Sequence, residues 1–287
     1  MTTPPARTRR FDLRRLYTAA ILIPTVYIII VHLAPWALTL LLIAVGSIAL
    51  VELYQICLQT RFNRLVAGVG LAAFVLIVAH DHLQFTLVPL LATVALVVSM
   101  AVSVLPSQTD HRGKSILILL SGVLYVGFPL STVVSARALP SGEFLALFLA
   151  VVTWASDTGA YYAGTLWGKH LLIPSVSPKK TVEGLFGGLV LAVSAAVLAQ
   201  WWFASELSFV DSLILGVLLT GAGLFGDLFE SVIKRRTGVK DSGGILPGHG
   251  GMLDRLDSLL FTAPTFYYYV AYIRGLLPPH SYGEERI

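Results

Sequence analysis

Charge is what this chain has least of. Of its 287 residues 13% are charged and 56% are hydrophobic, and the mean hydropathy is +0.79. A soluble domain carries about 25% charged and about 45–50% apolar residues. The deficit excludes a disordered chain, a fibrous repeat and an ordinary enzyme with one soluble core. Cysteine is nearly absent too. Cys57 stands alone, so no intramolecular disulfide and no cysteine-based metal site can form, and the thiol reads as a buried apolar residue. Strand-like alternation with polar residues is missing, which argues against a β-barrel.

What is present is a series of long apolar runs. A helix needs about 20 mostly apolar residues to cross the hydrocarbon core. Nine stretches answer to that description: residues 16–34, 36–58, 65–80, 85–105, 115–138, 144–164, 185–204, 209–230 and 258–272. The expected fold class is all-α, a polytopic integral membrane protein with about nine transmembrane helices. The first run follows Arg7, Arg9, Arg10, Arg14 and Arg15, a pattern that mimics a signal peptide. It is long and lacks a clear small-residue cleavage site, so it reads as a retained helix.

The basic residues orient this arrangement. With the N-terminus in the cytoplasm and the spans alternating, 17 of the 20 Lys and Arg fall in cytoplasmic segments. Only Arg137, Arg274 and Arg286 fall outside. Such a bias predicts an N-in, C-out chain with an odd number of spans. Residues 1–140 form an N-terminal set of helices without a coherent polar constellation. His80-Asp81-His82 reads as a solvated outer turn rather than a metal site. Glu52, an acid within a span, is either a weak functional candidate or the partner of a neighbouring helix.

Residues 141–287 differ: three polar patches interrupt the apolar sequence there, all near the cytoplasmic side. The first is Trp154-Ala155-Ser156-Asp157-Thr158-Gly159-Ala160-Tyr161-Tyr162. An Asp in an apolar helix needs a partner or a water-filled cavity, and the small residues let a helix or a ligand approach. The second is Ser177-Pro178-Lys179-Lys180-Thr181-Val182-Glu183-Gly184. Paired lysines and a hydroxyl at a helix start suit a polyanion such as phosphate, or serve topology alone. Gly184 and Gly188 are a small-residue pair suited to helix packing. The third patch runs from Gly226 to Ser258 and holds ten charged residues between Asp227 and Asp257.

The spacing in the third patch carries chemical information. Asp227, Glu230, Ser231 and Lys234 share one helix face, and Asp254 and Asp257 share another. Two faces bearing carboxylates can hold Mg²⁺ through oxygen. Gly243-Gly244 and Gly248, Gly250 and Gly251 permit close backbone approach to phosphates, with Lys234, Arg235, Lys240 and Arg255 as countercharge. Carboxylates, glycines and bases together describe a metal–phosphate site with reaction at phosphorus.

This stretch resembles the signature of the phosphatidate cytidylyltransferases, the CDP-diacylglycerol synthases. The matching elements are Ser231, Lys234-Arg235, Lys240-Asp241, Leu246-Pro247, His249-Gly250-Gly251 and Asp254-Arg255-Leu256-Asp257. Residues 156–161 and 177–184 are similar to two further motifs of that family. Thr165 is a departure, standing where a basic residue is more usual; Lys169 is retained.

The resemblance implies transfer of CMP from CTP to phosphatidic acid, giving CDP-diacylglycerol and pyrophosphate. It also implies Mg²⁺, with room for a second, monovalent cation such as K⁺, and a homodimer; the lack of organelle targeting points to a multi-pass place in a bacterial cell inner membrane. Nucleic acid is not an expected partner. Asp227 and Asp254 are the expected metal ligands and count with Lys234, Arg235 and His249 as the catalytic set. Asp157 and Asp257 are expected as outer ligands or orienting groups. Lys179, Lys180, Lys240 and Arg255 are expected to clamp phosphates, and Ser231 and Thr181 to hydrogen-bond substrate or metal-bound water. Ser177, Glu183, Asp241, Gly250 and Gly251 complete the expected substrate-binding set. Open alternatives are transfer to another lipid, such as an ether-lipid phosphate or a polyprenol, and a secondary transporter with intramembrane acids.

Overall fold

In a bilayer, apolar runs can satisfy their backbone polar groups as helices, and helices dominate the computed structural model. It describes residues 13–58, 64–80, 111–239, 241–243 and 250–276. The expected span at 85–105, the Asp81-His82 pair, Lys240 and His249 lie outside the described residues.

The chain runs α1 (Leu13–Val31), α2 (Pro35–Leu58), α3 (Arg64–Val78), α4 (His111–Arg137) and α5 (Gly142–Leu166). A hairpin of β1 (Leu171–Ile173) and β2 (Ser177–Thr181) follows. Then come α6 (Val182–Trp202), α7 (Phe209–Arg236), the single turn α8 (Leu253–Leu256) and α9 (Leu259–Tyr268), which ends in a π-helical turn over Tyr269–Ile273. Among the described residues five helices are long and apolar enough to cross a membrane: α2, the Leu117–Arg137 part of α4, α5, α6 and α7. Two shorter apolar segments, Leu22–Val31 and Ala67–Val78, accompany them.

The all-α architecture carries one small addition: Ser177–Thr181 of the second polar patch pairs antiparallel with Leu171–Ile173, with Leu171 opposite Thr181 and Ile173 opposite Ser177. The pair is too short for any periodicity to announce it. One expectation needs correcting. His80 is not in a solvated turn: it is buried, with Nδ1 2.9 Å from the Ile77 carbonyl.

Local chemistry fixes the helix ends. Pro35 opens α2, where its missing N–H costs nothing. Thr181 caps α6 by accepting from the Gly184 amide at 3.1 Å. Ser208 and Asp211 form a capping box at the start of α7. The far end of α7 carries Lys234, Arg235 and Arg236, which complement the helix dipole.

α7 is 28 residues long, about 42 Å at 1.5 Å per residue, against a hydrocarbon core of about 30 Å. Its polar last turns therefore have length to spare beyond the apolar part. The large apolar side chains that remain exposed, such as Phe186, Val190 and Leu198 on α6 and Val210, Val217 and Phe225 on α7, form a surface suited to lipid.

Close approach of α5 to α6 is the tightest helix packing. A Cβ added at Gly159 would run into the Gly187 carbonyl, and one at Gly187 would strike Ala163. Gly184 and Gly188 are buried against the Ala160 and Ser156 carbonyls, as their small-residue spacing predicts. In the first half, Tyr54 of α2 is fully buried and donates to the Leu119 carbonyl at 2.8 Å. It fills space left open by Gly70 and Gly122.

Polar contacts sort into two ends of the bundle. At one end Arg137 bonds the Ile30 carbonyl and Glu143, Ser141 bonds Glu206, and Asp211 binds Tyr269 and Arg274. Trp36, Trp201 and Trp202 are exposed in terminal turns of α2 and α6, as aromatic residues at a membrane interface are. The other end collects the acids and lysines of the three patches.

The Gly159–Gly187 contact generates a prediction. Gly159→Val overpacks the helix pair at a cost of about 1–3 kcal/mol or more and lowers Tm by several degrees. Gly221→Ala, with nothing within 4 Å of its Cβ, does not lower Tm. Thermal unfolding of the purified protein in detergent checks both.

Candidate active site

Four segments converge at the second end: α5 with Asp157, the hairpin with Lys180, the last turns of α7, and the loop and turn from Gly250 to Ser258. Each element has a reason to be there. The glycine-lined face of α5 lets α6 and its preceding hairpin approach. Strand geometry sends successive side chains to opposite faces, so Lys179 is exposed while Lys180 turns inward to an ion pair with Asp227. The base of the hairpin is tied by Glu183, which accepts from the Lys169 and His170 amides and lies 2.6 Å from the His170 ring.

Asp227 is also held by Ser258, whose hydroxyl lies 2.7 Å from Asp227 Oδ1 and 3.2 Å from Asp157 Oδ1. A serine has one proton to donate. It can serve only one of these carboxylates at a time, so the other needs a proton or a cation. Two helical turns on from Asp227, Lys234 bonds Asp254 at 2.6 Å and lies 3.3 Å from Glu230. Glu230 is 1% exposed, and neither carboxylate oxygen makes a hydrogen bond of good geometry among the described residues.

Among the acids of the site Asp254 has the fullest set of protein donors in the described residues. Its Oδ2 accepts from the amides of Ser242 (3.3 Å) and Gly251 (3.1 Å). Burial alone would raise its pKa, but the Glu230 carboxyl, the Lys234 ammonium and the Gly251 amide hold it below the ordinary carboxylate range. Asp257 is pushed the other way, well above that range, by burial and then by the negative charge of Asp227 and Glu230.

The site therefore gathers five carboxyl groups, Asp157, Asp227, Glu230, Asp254 and Asp257, around two contacting lysines, Lys180 and Lys234. Among the described residues no three acid, His or Cys side chains converge on a single metal position. That fits Mg²⁺, which takes one or two carboxylates and fills its remaining positions with water and substrate phosphates. The hard oxygen donors and the surplus of acid suit such a cation.

The remaining expected residues divide clearly. Asp157, Lys180, Asp227, Lys234, Gly251, Asp254 and Asp257 meet at the site. Ser177 is in the strand pair, and Thr181 and Glu183 spend their side chains on the α6 cap and the hairpin base. Lys179, Arg235, Asp241 and Arg255 are exposed around it, and Ser231 is partly buried on α7. Gly250 takes a left-handed φ of 79°, which glycine alone adopts without strain, and turns the chain beside Asp254.

Three site residues were absent from the expected set. Glu230 and Ser258 lay within the third patch, and Glu230 shares the face of Asp227 and Lys234. Glu52 is the third. Fully buried near the end of α2, it accepts from the Leu253 amide at 2.9 Å and the Ser242 hydroxyl at 3.3 Å. An acid in an apolar helix was its only signal.

With this geometry in view, similarity to known proteins can be assessed. Residues 13–273 match the sequence profile of the cytidylyltransferase family. A phosphatidate cytidylyltransferase of Bacillus subtilis is 34% identical over 269 residues, covering 91% of this chain and 98% of that one. One of Staphylococcus epidermidis is 43% identical over 145 residues, 50% of this chain and 55% of the relative. One of Haemophilus influenzae is 40% identical over 136 residues, 46% of this chain and 47% of the relative. A match over nearly the whole described chain, carried by a site of acids and lysines at one end of a helical bundle, leads to one conclusion: the chain belongs to the cytidylyltransferase family.

Proposed function

We propose that the chain transfers CMP from CTP to phosphatidic acid, forming CDP-diacylglycerol and releasing pyrophosphate. The observation that carries this reading is the pairing of Lys180 with Asp227 and Lys234 with Asp254 at the end of a membrane bundle. Such a site holds alternating charge ready for a polyphosphate and borders a surface suited to lipid.

The reaction is an in-line displacement. A phosphatidate oxygen attacks the α-phosphorus of CTP, the new P–O bond forms, and the bond to the β-phosphate oxygen breaks. The attacking oxygen is already anionic and needs no strong general base. The enzyme's contribution is positioning and charge neutralisation. Lys180 and Lys234 each exchange a carboxylate for a phosphate oxygen as substrate binds. Lys179, Arg235 and Arg255 supply further positive charge at the rim. Ser258 keeps Asp157 and Asp227 together, and Asp257 lies close enough to Asp227 and Glu230 to feel both charges. Asp227 and Asp254 would hold Mg²⁺, which supplies charge neutralisation on the phosphates when bound; a monovalent cation such as K⁺ is compatible with the surplus of acid.

The full chain reads as nine spans, N-in and C-out, with the acid-rich end in the cytoplasm of a bacterial inner membrane, acting as a homodimer. CTP is an aqueous substrate and phosphatidic acid lies in the leaflet, so a boundary site reaches both. The distribution of Lys and Arg supports this orientation.

Purified protein given phosphatidic acid, Mg²⁺ and CTP labelled at the α-phosphate is expected to place label in lipid, and a chelator to abolish it. Label entering from the γ-phosphate would mean a lipid kinase, and solute flux without nucleotide a transporter. Asp227→Asn and Asp254→Asn are each expected to lower turnover by about 10²–10³-fold, the scale of a lost electrostatic group, while the protein still inserts. Turnover like that of the unmodified protein in either variant rejects the ligand assignment.

Sidedness has its own test. In a Cys57→Ser background, a thiol at Arg236→Cys should react only when a membrane-impermeant reagent has cytoplasmic access. One at Ser205→Cys should react from the outside. The reverse pattern overturns the orientation.

A further inference from the structure

Glu52 is expensive to place. A carboxylate inside an apolar transmembrane helix costs about 2.5–3.5 kcal/mol at the helix centre, and this one has no solvent exposure. Its Oε2 accepts from the Leu253 amide and the Ser242 hydroxyl, residues on either side of the glycine-rich loop. Ser242 and Gly251 in turn present their amides to Asp254 Oδ2. One buried carboxylate thus grips the two segments whose amides hold another.

The glycines agree with this arrangement. A Cβ at Gly243 would run into Glu52 Oε1, and one at Gly251 would lie 2.6 Å from Glu52 Oε2 and strike Ser242. At these two positions the missing side chain makes room for Glu52. The acid comes from the half of the chain whose sequence carries no coherent site.

We infer that Glu52 is a positioning residue: through Ser242 and Leu253 it fixes the two segments whose Ser242 and Gly251 amides aim Asp254 at its cation. This rests on the reading of Asp254 as a divalent-cation ligand. Glu52 itself touches neither cation nor substrate. Groups that orient a ligating carboxylate typically govern about 10–100-fold of metal affinity.

The test is Mn²⁺ binding to the purified full-length protein in detergent, followed by electron paramagnetic resonance without nucleotide. The Mg²⁺ dependence of CMP transfer is measured in parallel. Glu52→Ala should weaken Mn²⁺ affinity about tenfold or more and raise the half-activating Mg²⁺ concentration to match, while turnover at saturating Mg²⁺ falls less. Glu52→Gln keeps an acceptor oxygen for Leu253 and Ser242 and should stay within about twofold of the unmodified protein. Ser242→Ala, which loses one of the two links, should lie between. Where Glu52→Ala fails to fold, Glu52→Gln and Ser242→Ala carry the comparison.

Asp254→Asn is the reference. If it loses Mn²⁺ while Glu52→Ala and Ser242→Ala bind normally, the role of Glu52 is overturned and the ligand reading stands. Normal Mn²⁺ binding by Asp254→Asn overturns both. A Glu52→Gln protein as weak as Glu52→Ala also overturns the inference, because the residue would then act as a charge and not as a hydrogen-bond acceptor.

Discussion

Everything at the acid-rich end depends on one constraint: a carboxylate removed from water needs a counterion or a set of donors. Five carboxyl groups crowd a small volume there, and like charges at such range raise one another's free energy. The arrangement answers in three ways. Lysines take Asp227 and Asp254, backbone amides take the second oxygen of Asp254, and Asp257 is driven toward its protonated form. The Glu230 oxygens are left without a good hydrogen bond. What remains is a net demand for positive charge, of the kind a divalent cation would meet.

The same constraint shapes the fold around the site. α5 and α6 close to backbone contact at Gly159 and Gly187, which brings the hairpin and Lys180 within reach of α7. Asp157, next to buried Ser156, then meets Asp227 across Ser258. At the opposite end the polar residues are spent on caps and ties: Asp211 alone serves Ser208, Tyr269 and Arg274. Polar groups at one end are satisfied by one another, and at the other they are held in readiness for a ligand.

Hydropathy made the long helices legible: the expected run 36–58 is Pro35–Leu58, and 115–138 falls within His111–Arg137 extended by one residue. The acid spacing on α7 was legible because helical periodicity is regular enough to place Asp227, Glu230 and Lys234 together. The hairpin was not, since three residues of β1 offer no alternation to detect. Thr181 and Glu183 have the chemistry of phosphate binders, but a hydroxyl and an acid at a helix start also suit capping, and local hydrogen bonds claimed them. Glu52 was visible as an oddity and no more, because its partners lie far along the chain.

That distance has a consequence for how the protein is made. The bond from Glu52 to the Leu253 amide spans 201 residues, and Ser242 is 190 away. A ribosome feeding helices into the bilayer in order must release nearly the whole described bundle before this contact can close. Until then Glu52 waits as an uncompensated acid in α2, and the loop around Asp254 does not yet exist. Competence therefore arrives late in biogenesis, as a property of the completed chain, and a partly inserted nascent protein holds no assembled centre with which to consume nucleotide.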